Sequence, residues 1–221
     1  MHQQTLIVTC VIAVTLVAAM AQTPQAPPDP KTIQLAGDRF KPLKWDEMTP
    51  EQKTMMEHLV QGERRGAGGP FNVLLRSPEM GDLAQQFGAS MRFHPSLPRK
   101  LNEMAIIITA RHWTAQYEWN AHRSAAAQAG LKESIIQEIA AGKRPAGMDA
   151  DETIVYNFAT ELLNTKQVGD AVFKAVKDKF GERGVVDLIS VMGYYQLVSM
   201  LLNVDRYPLP AGAKPELQPL K

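Results

Sequence analysis

Two residues able to move protons stand four positions apart in the middle of the chain, Glu118 and His122. Residues with that spacing lie one turn apart on the same face of an α-helix. A carboxylate beside an imidazole fixes the tautomer of the ring and raises its basicity, which suits general acid–base chemistry. The spacing alone is equally compatible with an ordinary Glu–His contact on a solvated helix surface.

The neighbours of this pair favour a pocket over a solvated surface. Trp113, Tyr117 and Trp119 crowd the same stretch, and four nearby alanines predict close contacts between helices. Burial among such side chains would shift the pKa values of both groups. We therefore expect the pair to be catalytic, and we expect the three aromatic residues, together with Tyr194, to contact a substrate.

Glu103 is the third candidate for catalysis, because it directly precedes a long apolar run. Its position leaves open whether it faces water or points inward towards a partner. Together with Glu118 and His122 it could also hold a metal ion. A Glu-x-x-x-His pair is a weak metal signature, however, and we predict neither a metal nor a cofactor.

Helical signals run through most of the chain. Capping residues, apolar stripes and glycine stops predict helices over about 50–62, 77–93, 96–112, 115–129, 132–141, 149–162, 168–180 and 182–204. No stretch alternates with period two for long enough to form a sheet, so the fold class is all-α, a helical bundle. A faint similarity between the segments that begin at Leu101 and at Val186 suggests a duplicated helical hairpin.

The last predicted helix is apolar on nearly all sides, which is typical of a buried bundle centre or of a membrane span. Asp187, Gln196 and Asn203 interrupt it and favour the buried centre. The charges of the chain, 24 Lys and Arg against 23 Asp and Glu, give a formal net charge of +1 with no basic block. We therefore expect no nucleic-acid partner and no stable insertion in a membrane by the mature chain.

The two ends of the chain differ from its middle. An uncharged apolar run followed by Ala19-Met20-Ala21 is typical of a signal peptide, so we predict that residues 1–21 direct export to the periplasm or medium and are removed. An uncleaved N-terminal anchor is the alternative, because no Lys or Arg precedes the run. Residues 22–44 form a Pro-rich linker, 45–206 the helical domain and 207–221 an extended tail. Cys10, the single cysteine, lies in the segment to be removed, so the mature chain has no thiol.

Several segments together resemble the carboxymuconolactone decarboxylase family of the alkylhydroperoxidase-D-like superfamily. They are LLRSPEM at 74–80, LP-R-x-L-x-E at 97–103, Y-E-W-x-x-H at 117–122 and A-x-x-x-G-L at 126–131. In the peroxidase branch the helix carries C-x-x-C-x-x-x-H. Aligning the family histidine with His122 places Ala115 and Glu118 at the two cysteine positions, so a thiol-dependent peroxidase activity is disfavoured.

The resemblance implies an alkylhydroperoxidase-D-like bundle that assembles as a homotrimer or homohexamer. It also implies a lyase or isomerase that acts by acid–base chemistry on a small carboxylated or lactone-like compound. In that interpretation His122, held by Glu118, exchanges a proton with carbon, Glu103 tunes the pair, and Arg76 binds the substrate carboxylate. The alternative is a non-catalytic exported protein that binds small molecules or assembles, because lactone decarboxylases of this family act inside the cell.

Overall fold

The computed structural model describes residues 26–219. The predicted signal segment 1–21, with Cys10, lies outside the described residues, as do 22–25 and 220–221. The described part of the chain is helical without strands, which confirms the predicted all-α class. Its α-helices are α1 (Pro50–Gln61), α2 (Phe71–Leu74), α3 (Pro78–Phe93), α4 (Arg99–His112), α5 (Gln116–Gln128), α6 (Glu133–Ala140), α7 (Ala150–Thr165) and α8 (Asp170–Asp205).

Local sequence signals explain most of these bounds. The side chains of Thr49 and Asp149 accept hydrogen bonds from the backbone N–H three residues later, forming capping boxes that start α1 and α7. Gly181 has a φ of 70° inside α8, so the backbone breaks between the two helices that the sequence predicts there. The sequence does not predict the short helix α2, because it begins at the end of the glycine-rich stretch 63–72, whose composition is typical of a loop.

Helix α4 occupies the centre of the molecule. Every residue from Leu101 to Arg111 is buried, and α4 packs against α5, α7 and α8. The second half of α8 contributes Leu188, Val191 and Tyr195 to the same core. Of the described helices, α8 alone is long and apolar enough to cross a membrane by length and composition, and half of its most apolar window is buried inside the protein.

A second apolar cluster joins α1, α2 and α3, and the N-terminal segment packs beside it. The backbone N–H groups of Asp38 and Phe40 donate to Asp205 Oδ1 at 3.2 and 2.8 Å. Asn72 donates from Nδ2 to the Phe40 carbonyl at 2.7 Å. The described part of the Pro-rich linker is therefore fastened to the helical domain.

The C-terminal tail is extended, and it is bound along one face of α5. Gln116 donates to the Leu217 carbonyl at 2.6 Å and accepts from the Leu217 N–H at 3.1 Å. The Leu217 side chain is buried, and Glu216 accepts a 3.0 Å hydrogen bond from the Trp119 indole. Tail contacts thus hold the helix that carries the candidate catalytic pair.

Candidate active site

His122 lies between two buried carboxylates. Its Nδ1 is 2.7 Å from Glu103 Oε2, and its Nε2 is 3.0 Å from Glu118 Oε1. The three residues are only 4–5 % exposed. The structure therefore brings the three predicted catalytic residues together and resolves the orientation of Glu103, which points inward.

A tight turn between α4 and α5 produces this convergence. Thr114 adopts a left-handed conformation with a φ of 48°, and the Ala115 N–H donates to the Ala110 carbonyl at 2.9 Å. The chain thereby reverses, and α5 lies along α4, so that Glu103 and His122 meet although 19 positions separate them. Glu118 lies in the first turn of α5, where the helix dipole favours a negative charge.

The two carboxylates determine the charge of the imidazole. Burial is the largest single influence and lowers the pKa of His122, but the charges and hydrogen bonds of Glu118 and Glu103 together raise it to about 9. At neutral pH the ring is therefore an imidazolium, and both of its N–H groups donate to carboxylates. The imidazolium thus lies between two carboxyl groups, each within hydrogen-bond distance of one ring nitrogen.

The cluster forms part of the wall of a cavity of about 100 Å³. Glu118 and His122 line this cavity, whereas Glu103 lies behind His122. The guanidinium groups of Arg64 and Arg92 also line this cavity and bring positive charge to it. The other lining residues are Gly68, Gly69, Pro70, Phe71, Tyr117, Ala121, Tyr194, Tyr195 and Val198.

Tyrosines from α8 close the inner side of the cavity. The Tyr195 ring meets the His122 ring edge to face at 4.8 Å, and burial raises the pKa of Tyr195 well above its ordinary value. The Tyr194 hydroxyl accepts a 3.2 Å hydrogen bond from Arg64 Nη2. Gly88 on α3 makes room for Tyr194, since a Cβ there would lie 2.0 Å from the tyrosine Cζ. Both tyrosines stay protonated at neutral pH and can donate to an anion.

The predicted substrate contacts divide into two groups. Tyr117 and Tyr194 line the cavity, as expected. Trp119 does not, because its ring is buried on the tail-binding face of α5, and Trp113 lines a separate surface pocket. Arg76 is exposed, and its guanidinium donates to the carbonyls of Asn72 and Lys41 away from the cavity.

Sequence reasoning missed Arg64 and Tyr195. Arg64 lies in the glycine-rich stretch 63–72, where no period or motif marks it. It lines the cavity, and its guanidinium carbon lies 5.1 Å from the centre of the Phe71 ring. Tyr195 had a weak signal, since it follows Tyr194 in an otherwise aliphatic helix. Nothing in the local sequence around either residue shows that these segments meet α5.

Within residues 26–219, no group of three or more His, Cys, Asp or Glu side chains has an arrangement suited to a metal ion. Comparison of the chain with protein-family models, curated proteins and solved structures finds no match.

Proposed function

We propose that this protein is an acid–base lyase or isomerase, similar in chemistry to carboxymuconolactone decarboxylases, that acts on a small carboxylated or lactone-like compound. The observation that carries the proposal is the Glu103–His122–Glu118 cluster at the wall of a cavity that also contains two arginines. Buried titratable groups with opposed charges beside a cleft are typical of proton-transfer sites.

Glu118 is the group that meets the substrate. Both N–H groups of His122 already donate to carboxylates, so the imidazolium passes its proton through Glu118. In an isomerisation, Glu118 takes a proton from the carbon beside a carbonyl and returns it to another position of the same molecule. In a decarboxylation, the bond to the carboxylate breaks, CO₂ leaves, and the electron pair left on carbon takes a proton from His122 by way of Glu118.

Arg64 and Arg92 are the groups that bind the substrate carboxylate in this proposal. They replace Arg76 in that role, because Arg76 lies outside the cavity. Arg64 is oriented by Tyr194, and among the described residues Arg92 has no ion pair that would compete with a ligand. A guanidinium binds a carboxylate with two parallel hydrogen bonds, which also fixes its direction.

A deuterium-exchange assay tests the proposal directly. A panel of γ-lactones that carry a ring carboxylate is incubated with the full chain in deuterium oxide, and proton NMR follows loss of the C–H signal beside the carbonyl. We expect exchange or CO₂ release with the wild type and a loss of about 10²- to 10⁴-fold in Glu118→Gln and His122→Gln. Arg64→Met should chiefly raise KM.

The matched control is His94→Gln, because His94 also contacts a carboxylate, Glu63 at 2.6 Å, but on the exposed surface. It should keep the wild-type rate. A His122→Gln variant that is folded and exchanges at the wild-type rate ends the enzymatic proposal. Saturable binding of the lactones by a wild type that produces no exchange would instead support the non-catalytic alternative.

The fold and the assembly state belong to the same proposal. An alkylhydroperoxidase-D-like bundle with a repeated helical hairpin accommodates the observed pairing of α4 with α5 and of α7 with α8. Self-association as a trimer or hexamer is supported by the large apolar side chains exposed on the described surface, all of which belong to α3 and α8. Light scattering coupled to size-exclusion chromatography should give a mass of three or six chains, and a monomer would refute this part.

The proposal also includes export of the protein and removal of its N-terminal segment. Residues 1–21 have the apolar run and the small-residue cleavage site of a signal peptide. Fractionation of expressing bacterial cells, with N-terminal sequencing of the recovered protein, should find a chain that begins at Gln22 outside the cytoplasm. A chain that retains residues 1–21 in the membrane fraction would show the uncleaved anchor.

A further inference from the structure

A second cavity, of about 160 Å³, opens between α4, α6 and α7. It shares no lining residue with the first cavity. Its apolar wall is made by Ile108, Ile139, Leu163 and the Tyr156 ring. Its polar lining has basic and neutral groups and no acid: Arg111, His112, Lys143, Thr160 and Asn164, beside Gly142.

Arg111 is the unusual member of this wall. It is only 5 % exposed. Among the described residues it makes one hydrogen bond, from its Nη2 to the Gln218 carbonyl at 2.6 Å. Its Nε and Nη1 are buried and have no partner within residues 26–219, and no carboxylate of that range forms an ion pair with it. Burial lowers the pKa of this guanidinium.

A buried cation without a counter-ion is costly, and buried polar groups in native proteins are nearly always paired with protein, water or a ligand. Among the described residues, the other charged group that lines this cavity is also basic. Lys143 lines the same cavity. The pKa of His112 is lowered chiefly by burial and secondly by the nearby charge of Lys166. Among residues 26–219, the lining of this cavity therefore offers cations and an apolar wall but no anion.

We infer that this second cavity binds a small organic monocarboxylate, with the carboxylate held by Arg111 and Lys143 and the apolar body packed on Ile108, Ile139 and Leu163. An inorganic anion would leave the apolar wall without a contact, and a neutral hydrophobic molecule would leave the guanidinium unpaired. Concave sites with mostly apolar walls and a few convergent polar groups are typical of small-molecule sites. The inference is independent of the chemistry at His122.

Calorimetric titration of the full chain with sodium hexanoate tests this inference, with 1-hexanol as the neutral probe and sodium phosphate as the inorganic one. We expect saturable binding of hexanoate and at least about tenfold weaker binding of both other probes. Hexanol lacks the charge-assisted hydrogen bond, and phosphate lacks the apolar contact. Equal affinity for hexanol, or no binding of hexanoate, overturns the proposal.

Two variants locate the site. Arg111→Met should weaken hexanoate binding by about tenfold or more. Lys143→Met should weaken binding by a smaller factor, and because Lys143 is exposed this variant leaves the core of the protein unchanged. His122→Gln is the control and should keep the wild-type Kd, because it lies on the other cavity. Loss of binding in His122→Gln, with wild-type binding in Lys143→Met, would place the ligand in the first cavity and refute the inference.

Isoleucine methyl NMR supplies a readout that a purely structural arginine would not change. The methyl signals of Ile108 and Ile139 should shift on addition of hexanoate, whereas that of Ile106, buried in α4 away from this wall, should not. Shifts confined to other methyl groups would contradict the proposed location.

Discussion

Two cations are buried to the same degree in this protein, and their surroundings are opposite. His122 and Arg111 are each 5 % exposed. His122 has two carboxylates within 3.0 Å, whereas Arg111 has no carboxylate partner among residues 26–219. The comparison teaches that burial alone does not define a functional group. The two proposals differ accordingly: proton transfer at the paired cation, and binding of a carboxylate at the cation that has no carboxylate partner among the described residues.

The largest expected effect comes from removing each cation in turn. His122→Leu leaves Glu103 and Glu118 buried together without the imidazolium, which should lower the free energy of unfolding by about 3–5 kcal/mol. Arg111→Met removes a charge that has no counter-ion among residues 26–219, so without added ligand its effect should stay within about 1 kcal/mol or be stabilising. Urea denaturation at pH 7 measures both, and equal losses would contradict the comparison.

The second effect concerns pH. Because the pKa of His122 is raised from 6.5 to about 9 in the folded protein, its protonation stabilises the fold fully below pH 6.5, and this contribution is lost as the pH rises through 9. It amounts to about 3 kcal/mol. The free energy of unfolding of the wild type should therefore fall between pH 6.5 and 9, and that of His122→Gln should fall less. Parallel curves for the two proteins would refute this assignment.

The smallest effect distinguishes a buried imidazole from an exposed one. The side chains of His94 and Glu63 form a pair at 2.6 Å but are 63 % and 53 % exposed. Exposed ion pairs contribute little, so His94→Gln should change the free energy of unfolding by less than about 1 kcal/mol. A loss as large as that of His122→Leu, measured by the same denaturation, would show that distance rather than burial determines the contribution.

The sequence predicts the helices well, because capping residues and glycine stops are local signals. Thr49, Asp149 and Gly181 begin or break helices where the pattern places them. The pairing of Glu118 with His122 follows from helical spacing alone. The inward orientation of Glu103 does not, since it depends on the turn at Thr114 that folds α5 back on α4.

Residues whose role depends on distant packing could not be predicted. Trp119 lies next to Glu118 in sequence but points to another face of α5, where Glu216 accepts a hydrogen bond from its indole N–H. Arg64 enters the cavity from a loop that no motif marks. The tail is extended as its composition indicates, yet its binding by Gln116 is a contact between residues 101 positions apart. Contacts of that range leave no periodic signal in a single chain.

An NMR titration of the His122 ring nitrogens tests the central claim most directly. With both carboxylates in place, the account predicts that Nδ1 and Nε2 both carry protons at pH 7 and that the ring titrates with a pKa of about 9. A ring that is neutral at pH 7, or that titrates below the ordinary value of 6.5, would contradict the claim that Glu103 and Glu118 hold an imidazolium between them.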